Sequence, residues 1–366
     1  MEENFENDIL GFDPANLKTY QETQTSTGNL NIYKTKPSDS KDDDGHYRCK
    51  IKVIYNPYDL PNSIIEQQGY SMQDKDGYFY VVSKLTNNDT SCPIFKAWKR
   101  SHFAKKDENP ELWKIAAKRE EGGKQMFDKR FARYVTVQII EDKNQTDLQG
   151  QYMFWKLPKM VWEAINKKQH PAAADNKIPV QVMDFLFGCV INIDVKPGPK
   201  DPKNPEREQR EISYSCEIGN KPVSCTNPDG TPLLNDEQTK VLDAYVEKLR
   251  KIWDEDNYDK AVTLNNELKT SDEAKALRPV YKEVLEKIKT FCPNVSEEMG
   301  YKEWSEETTN RVNNWINIVM SGNDPGTYGS APEAAVTAGN VTDKQEPSVS
   351  QASVGTEDEP TDDLPF

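Results

Sequence analysis

The stretch from Ile94 to Tyr134 gathers the two side-chain types that hold a single nucleic-acid strand. It carries twelve Lys and Arg against six acids, and Phe95, Trp98, Phe103, Trp113, Phe127, Phe131 and Tyr134 are threaded among them. Cations neutralise phosphates, and flat rings stack on bases at roughly 1–3 kcal/mol per base whatever the base is. The candidate phosphate contacts here are Lys96, Lys99, Arg100, Lys129, Arg130 and Arg133, with Trp98 and Tyr134 as candidate stacking rings. Any one of these rings also reads as a core residue of a local helix, so the assignment rests on the collection.

Charge by region supports the same chemistry. The chain of 366 residues has a formal net charge of −14, yet residues 46 to 232 hold 29 bases against 24 acids, net +5. The acidity belongs to the flanks: residues 1 to 45 hold four Lys against ten acids, and residues 233 to 320 thirteen bases against eighteen acids. From Ser321 onward one Lys faces nine acids, and the segment is mostly Gly, Ala, Pro, Ser, Thr and Val without periodicity. Such a composition buries too little apolar area to offset ordering entropy, which predicts a disordered acidic tail. The tail ends in Asp362, Asp363, Leu364, Pro365 and Phe366, a small apolar hook behind two carboxylates. This end resembles the tip of bacterial single-stranded-DNA-binding proteins and is the expected docking point for replication and repair partners.

Catalytic patterns are missing. The sequence has no G-x4-G-K-[ST], no H-E-x-x-H and no G-x-S-x-G, and its three histidines, His46, His102 and His170, sit in polar or basic contexts. The reading is therefore not an enzyme, with no cofactor. Six cysteines without a C-x-x-C pair read as reduced, buried thiols. No apolar run approaches the roughly 20 residues of a membrane span, and the acidic N-terminus is unlike a signal peptide, so a soluble, intracellular protein is expected.

Positioning these groups falls to strands first and helices later. Strand patterns occur at Tyr47–Tyr55, Tyr78–Leu85, Arg133–Glu141, Gln151–Trp155, Phe185–Val195 and Ile212–Ile218, and five or six strands in about 170 residues suggest a small barrel. In the first of them Arg48, Lys50 and Lys52 alternate with Cys49, Ile51 and Val53, which predicts a basic outer face over an apolar inner one. A short helix follows at Pro158–Lys168, and Lys196–Arg210, with four prolines, reads as a mobile loop. Beyond Pro232 the period becomes 3.6: a helix capped by Asn235 with Gln238, a second over Asp272–Phe291, and a third capped by Ser305.

Gly150, Trp155, Lys156, Leu157, Lys159, Val161, Trp162, Glu163, Ile165 and Asn166 together form a gapless pattern over seventeen positions. It resembles the strand-helix segment of the single-stranded-DNA-binding (helix-destabilising) proteins of T-even phages. Lys129 and Arg130 before the strand Val135–Asp142 are similar to that family's entry into a barrel strand, and Asp89–Pro93 to the start of its zinc-binding half. The resemblance, over roughly Tyr47 to Ile218, implies an OB-type five-stranded barrel and a strand-coating role in replication, recombination and repair in the cytoplasm of an infected bacterial host. It places Lys129, Arg130, Tyr134, Trp155 and Lys156 on the cleft, with Lys159 beside them, and implies self-association along the strand. The expected architecture is thus α+β: an acidic segment (1–45), an OB-type β-barrel core (46–232), an α-helical region (233–320) and the disordered tail (321–366). A replisome adaptor without direct DNA binding is the alternative; it shares the tail and helices but leaves the basic, aromatic middle without a purpose.

Two features depart from the family. Its basic N-terminal element has no counterpart, since the first 30 residues hold only Lys18, and Phe95 stands where its last zinc cysteine falls. One thiolate, Cys92, does not hold a tetrahedral zinc. Elemental analysis of the purified protein is expected to find no stoichiometric zinc, and close to one zinc per chain would overturn this reading.

Overall fold

Tyr47–Ile54 is the strand on which the main sheet is built. The computed structural model describes residues 32–83, 92–115, 127–172, 175–198, 200–201, 204–208, 213–300 and 302–326. Its strands are β1 (Ile32–Tyr33), β2 (Tyr47–Ile54), β3 (Ile65–Asp74), β4 (Gly77–Val82), β5 (Phe127–Asp142), β6 (Tyr152–Lys156), β7 (Cys189–Lys196), β8 (Lys200–Asp201), β9 (Asn204–Glu208) and β10 (Ser213–Pro222). Its helices are α1 (Pro93–His102), α2 (Pro110–Ile115), α3 (Lys159–Gln169), α4 (Asp236–Trp253), α5 (Tyr258–Thr270), α6 (Asp272–Lys289), α7 (Val295–Met299) and α8 (Glu306–Met320). None of the described helices is long and apolar enough to cross a membrane.

The sheet has eight strands in the order β1-β6-β5-β2-β7-β10, with β3 joined to β5 and β4 to β3. β2 runs antiparallel to both β5 and β7, while the short β1 runs parallel to β6, Ile32 opposite Phe154. This corrects the expected five-stranded OB-type barrel: the sheet is open, and no closed barrel forms among the described residues. A sheet closes on itself when strands are all it has to cover its apolar face. Here helices do the covering. Ile51, Val53, Val137 and Ile191 share one core with Val161 and Ile165 of α3, Leu242, Tyr245 and Leu249 of α4, and Leu277, Tyr281, Val284 and Ile288 of α6.

The chain divides into two compact units assembled from interleaved segments: Met1–Gly69, Val82–Thr86 and Phe131–Glu303 form the first, and Tyr70–Val81, Asn87–Arg130 and Trp304–Phe366 the second. The first contains α3 to α7. Asn235 and Gln238 make the expected reciprocal cap of α4, at 2.9 and 3.1 Å, and Ser271 caps α6. Gly150, which opens the resembled segment, has φ +84°, and a Cβ there would lie 2.5 Å from the Pro228 carbonyl oxygen. Only glycine fits that approach. In the second unit α1 packs against α2 and α8, and Ile94, Ala97, Tyr70, Met72, Val312 and Trp315 are buried. Arg311 of α8 grips Asp74 at the end of β3 with two hydrogen bonds, at 2.7 and 2.8 Å.

Two segments differ from expectation. Lys196–Arg210 contains an antiparallel ladder, β8 with β9, in place of a plain loop. The first residues of the expected tail, Ser321–Gly326, belong to the fold. Asp324 is buried, its Oδ1 accepts from the Gly326 amide at 2.7 Å, and burial pushes its carboxyl above the usual range. Positions 327–366, including Asp362, Asp363, Leu364, Pro365 and Phe366, lie outside the described residues.

The alternation in β2 holds for Arg48 and Lys50 and then fails. A register shift between Lys50 and Ile51 precedes a run in which Ile51, Lys52, Val53 and Ile54 are all fully buried. Lys52 is therefore not a phosphate contact. Its Nζ donates to the carbonyls of Phe185, at 3.0 Å, and Val223. Nearby, Asp184 accepts from the Leu186 and Phe187 amides at 2.8 and 3.0 Å and from the Tyr281 hydroxyl at 2.8 Å. Burial raises the Asp184 carboxyl, and the Lys52 ammonium opposes that rise. Removing the ammonium leaves two buried carbonyls without their donor and the Asp184 carboxyl without a charge that opposes its rise, and losing such a buried partner typically costs about 1–3 kcal/mol. Lys52→Met is expected to lose stability on that scale in urea unfolding. The loss should deepen as pH rises through the carboxylate range, because a carboxyl with a raised folded pKa destabilises the fold once the unfolded chain ionises. A loss that Asp184→Asn in the same chain does not reduce would contradict the coupling.

Candidate nucleic-acid interface

α1 begins at Pro93, whose fixed φ suits the first helical position, and ends in Lys99, Arg100 and His102, which complement the negative end of the helix dipole. Ile94, Ala97 and Ser101 form its buried stripe. The adjacent stripe holds Phe95, Trp98 and His102 at the same spacing, and these rings stack. Phe95 and Trp98 have centroids 5.6 Å apart at 27°, and Trp98 and His102 4.9 Å apart at 19°. Phe103, at 67 % exposure, closes the row edge-on to His102 at 5.0 Å. From the first residues of β5, the Lys129 ammonium lies 5.3 Å from the Phe95 ring centre and 5.5 Å from that of Trp98. Arg130 follows it in the same strand.

Lys96, Lys99 and Arg100 are exposed on this helix. No carboxylate pairs with them among the described residues, whereas Lys105 of the same unit is bound by Glu108 at 2.7 Å and Lys114 lies 3.7 Å from Glu111. Trp98 itself has a neighbour on each side along the helix axis. It is the middle of a rigid row and not a free platform, and the ring it leaves available is Phe103. The pattern held a signal for this, since Phe103 falls one residue past the helix, off the buried stripe.

The remaining candidates lie in the first unit, and there they do not form one surface. Arg48 is held by Asp42 at 2.9 Å and Asp44 at 2.5 Å, and its hydrogen bonds keep the Asp44 carboxyl down at about 2. Lys50 pairs with Glu141 at 2.5 Å. With Asp194 hydrogen-bonded to His46 beside them at 2.9 Å, these cations sit among carboxylates and present no net attraction to a phosphate chain. This corrects the expected basic outer face of β2.

Strand alternation separates others. Tyr134 stands opposite Lys156, and Val135 opposite Trp155. Tyr134 and Lys156 therefore share one face, and Trp155 lies on the other, 2 % exposed in the main core. Trp155 is a core residue, not a stacking ring, and Tyr134 packs against the small cluster of Ile65, Phe154, Val295 and Met299. Lys156 and Lys159 are exposed. Arg133 is bound by Glu66 at 2.6 Å, with its guanidinium 4.7 Å from the Phe131 ring centre and 5.9 Å from that of Trp162. Among the described residues no three His, Cys, Asp or Glu side chains gather closely enough to hold a metal ion.

The two fates of aromatic residues separate in one measurement. Trp155→Ala empties a packed site and should cost about 3–5 kcal/mol. Phe103→Ala removes an exposed ring and should stay within about 0.5 kcal/mol. Thermal unfolding of both variants checks this, and a Trp155→Ala protein that melts like the unmodified chain would return Trp155 to the surface.

No protein-family model matches this sequence, and no curated protein is significantly similar to it. The functional reading rests on the chain's own residues.

Proposed function

We propose that this protein binds single-stranded DNA without strong sequence preference and is not an enzyme. The observation that carries the reading is α1, where Lys96, Lys99 and Arg100 stand without acidic partners among the described residues, beside a pre-stacked aromatic row ending in Phe103. Bases need ring faces and phosphates need uncommitted cations, and neither contact reads a base edge. Lys129, stationed over Phe95 and Trp98, borders the same surface. In this reading the protein coats exposed strands during replication, recombination and repair, as the phage family it resembles does. Its acidic C-terminus, ending in Leu364, Pro365 and Phe366, recruits partner proteins.

Fluorescence anisotropy with matched single- and double-stranded oligonucleotides tests the proposal. With ~4 phosphates neutralised, log K against log salt should fall with a slope of about −3 for single strands. Replacing Lys96, Lys99 and Arg100 together by Gln should flatten that slope to about −1 while leaving the melting temperature in place. Tighter binding to duplex, or a flat salt response in the unmodified protein, would overturn the reading. Binding to neither form would favour the adaptor alternative.

A further inference from the structure

Arg133 of β5 has its guanidinium held by three groups, all within the first unit. Its Nε donates to Glu66 Oε1 at 2.6 Å, across the neighbouring strands β5 and β3. Its Cζ lies 4.7 Å from the Phe131 ring centre and 5.9 Å from that of Trp162 on α3. Phe131 stands two residues before Arg133 in β5 and so shares its face of the strand. The Leu157 amide donates to the Arg133 carbonyl at 2.8 Å, which fixes the backbone where β6 gives way to α3.

A guanidinium has five N–H donors, on Nε and on two Nη groups, and the contact with Glu66 uses only the one on Nε. The edge formed by the two Nη groups meets no acceptor among the described residues, and the side chain keeps 18 % exposure. Arg48 is the contrast: both of its Nη groups are spent on Asp42 and Asp44, so no fork remains for a phosphate. Two donors side by side in one plane match two oxygens of a phosphate, a geometry that a lysine ammonium does not reproduce. The carboxylate and the rings already fix that plane, so little side-chain entropy is left to lose when an anion arrives.

We propose that the Nη edge of Arg133 is a phosphate-binding point on the first unit, donating to one phosphodiester of a single nucleic-acid strand, with Glu66 as its positioning residue. The inference rests on the single-strand reading above and extends it beyond α1. Phe131 and Trp162 are themselves partly exposed. Rings beside a phosphate point suit a nucleotide, which brings a base face along with its phosphate, better than an acidic peptide. Glu66 then has two opposed effects: its oxygen aims the guanidinium, and its charge repels the phosphate. That opposition separates this role from a structural ion pair, in which losing either partner acts in the same direction.

The test uses the full chain and a fluorescein-labelled oligothymidylate. Arg133→Met should weaken binding about 3- to 10-fold and flatten the slope of log K against log salt by about 0.7, the share of one phosphate on a single strand. Arg133→Lys keeps the charge without the fork and should still weaken binding about twofold. Glu66→Gln keeps an acceptor for Nε without the charge and should tighten binding about threefold. Unchanged affinity and slope in Arg133→Met, full affinity in Arg133→Lys, or a Glu66→Gln protein weakened as Arg133→Met is, would overturn the phosphate point while leaving the single-strand reading intact. Failure of the unmodified protein to bind would remove that reading and the phosphate point with it. Should Arg133→Met melt early, phenylglyoxal, which reacts across the two Nη groups, decides on the unmodified protein with mass-spectrometric mapping. Arg133 should react in the absence of the strand and be protected in its presence, while inorganic phosphate at the same phosphate concentration should not protect it. An Arg133 that is unreactive without the strand, equally reactive with it, or protected as well by inorganic phosphate would overturn the proposal.

Discussion

The burial of the Lys52 ammonium is the constraint around which the first unit is arranged. β2 pairs with β7 only as far as Ile51 and with β5 as far as Ile54, and from Ile51 to Ile54 every side chain is buried, so a lysine there must be satisfied internally. Backbone carbonyls of Phe185 and Val223 supply acceptors, which draws the turn before β7 and the chain after β10 toward the centre of the sheet. Asp184 in that turn then reaches Tyr281, tying α6 to the same point. Desolvating an ammonium and a carboxylate is expensive, and it is tolerated because hydrogen bonds meet both groups. The helices that are thereby fixed over the sheet cover the apolar face that a barrel would have had to enclose with strands.

Electrostatics sorts the cations more sharply than their number does. Arg48 and Lys50 are exposed, as an alternating strand requires, yet each is engaged by carboxylates that approach from Asp42, Asp44 and Glu141. On α1 the same residue types meet no acid among the described residues. A phosphate approaching β2 must displace an existing partner and faces the remaining carboxylates; one approaching α1 displaces only water and counterions. Surface ion pairs contribute little to stability, so the consequence of the pairing around β2 is chiefly for what that surface can attract.

Aromatic side chains are sorted by the same geometry. Trp155 fills the main core, Trp98 is enclosed in a row of rings, and Phe103 is exposed at the end of that row. A buried ring stabilises the fold through area and packing. An exposed ring does neither and is available to a ligand. In the second unit Phe103 follows α1, a helix fixed from behind by its buried Ile94 and Ala97.

Local chemistry was legible wherever it was self-sufficient. The caps at Asn235 and Ser305, the 3.6 period of α4, α6 and α8, the proline start of α3 and the strands β2, β5, β6 and β10 all follow from neighbouring residues, because a cap or an amphipathic stripe needs only its own segment. The crowding of Lys, Arg and aromatic residues around α1 was visible for the same reason. β3 was not, since Glu66, Gln67 and Gln68 supply no apolar alternation; Gln67 is stabilised in a buried strand by the distant Met299 carbonyl at 2.6 Å. α5 was missed because only Ala261 and Leu268 are buried along it. Which cations are neutralised, which rings are covered, and whether the sheet closes or lies under helices were decided by tertiary structure alone. Each depends on groups far apart in the chain, Lys52 with Val223 or Arg311 with Asp74, and no local pattern encodes whether such partners meet.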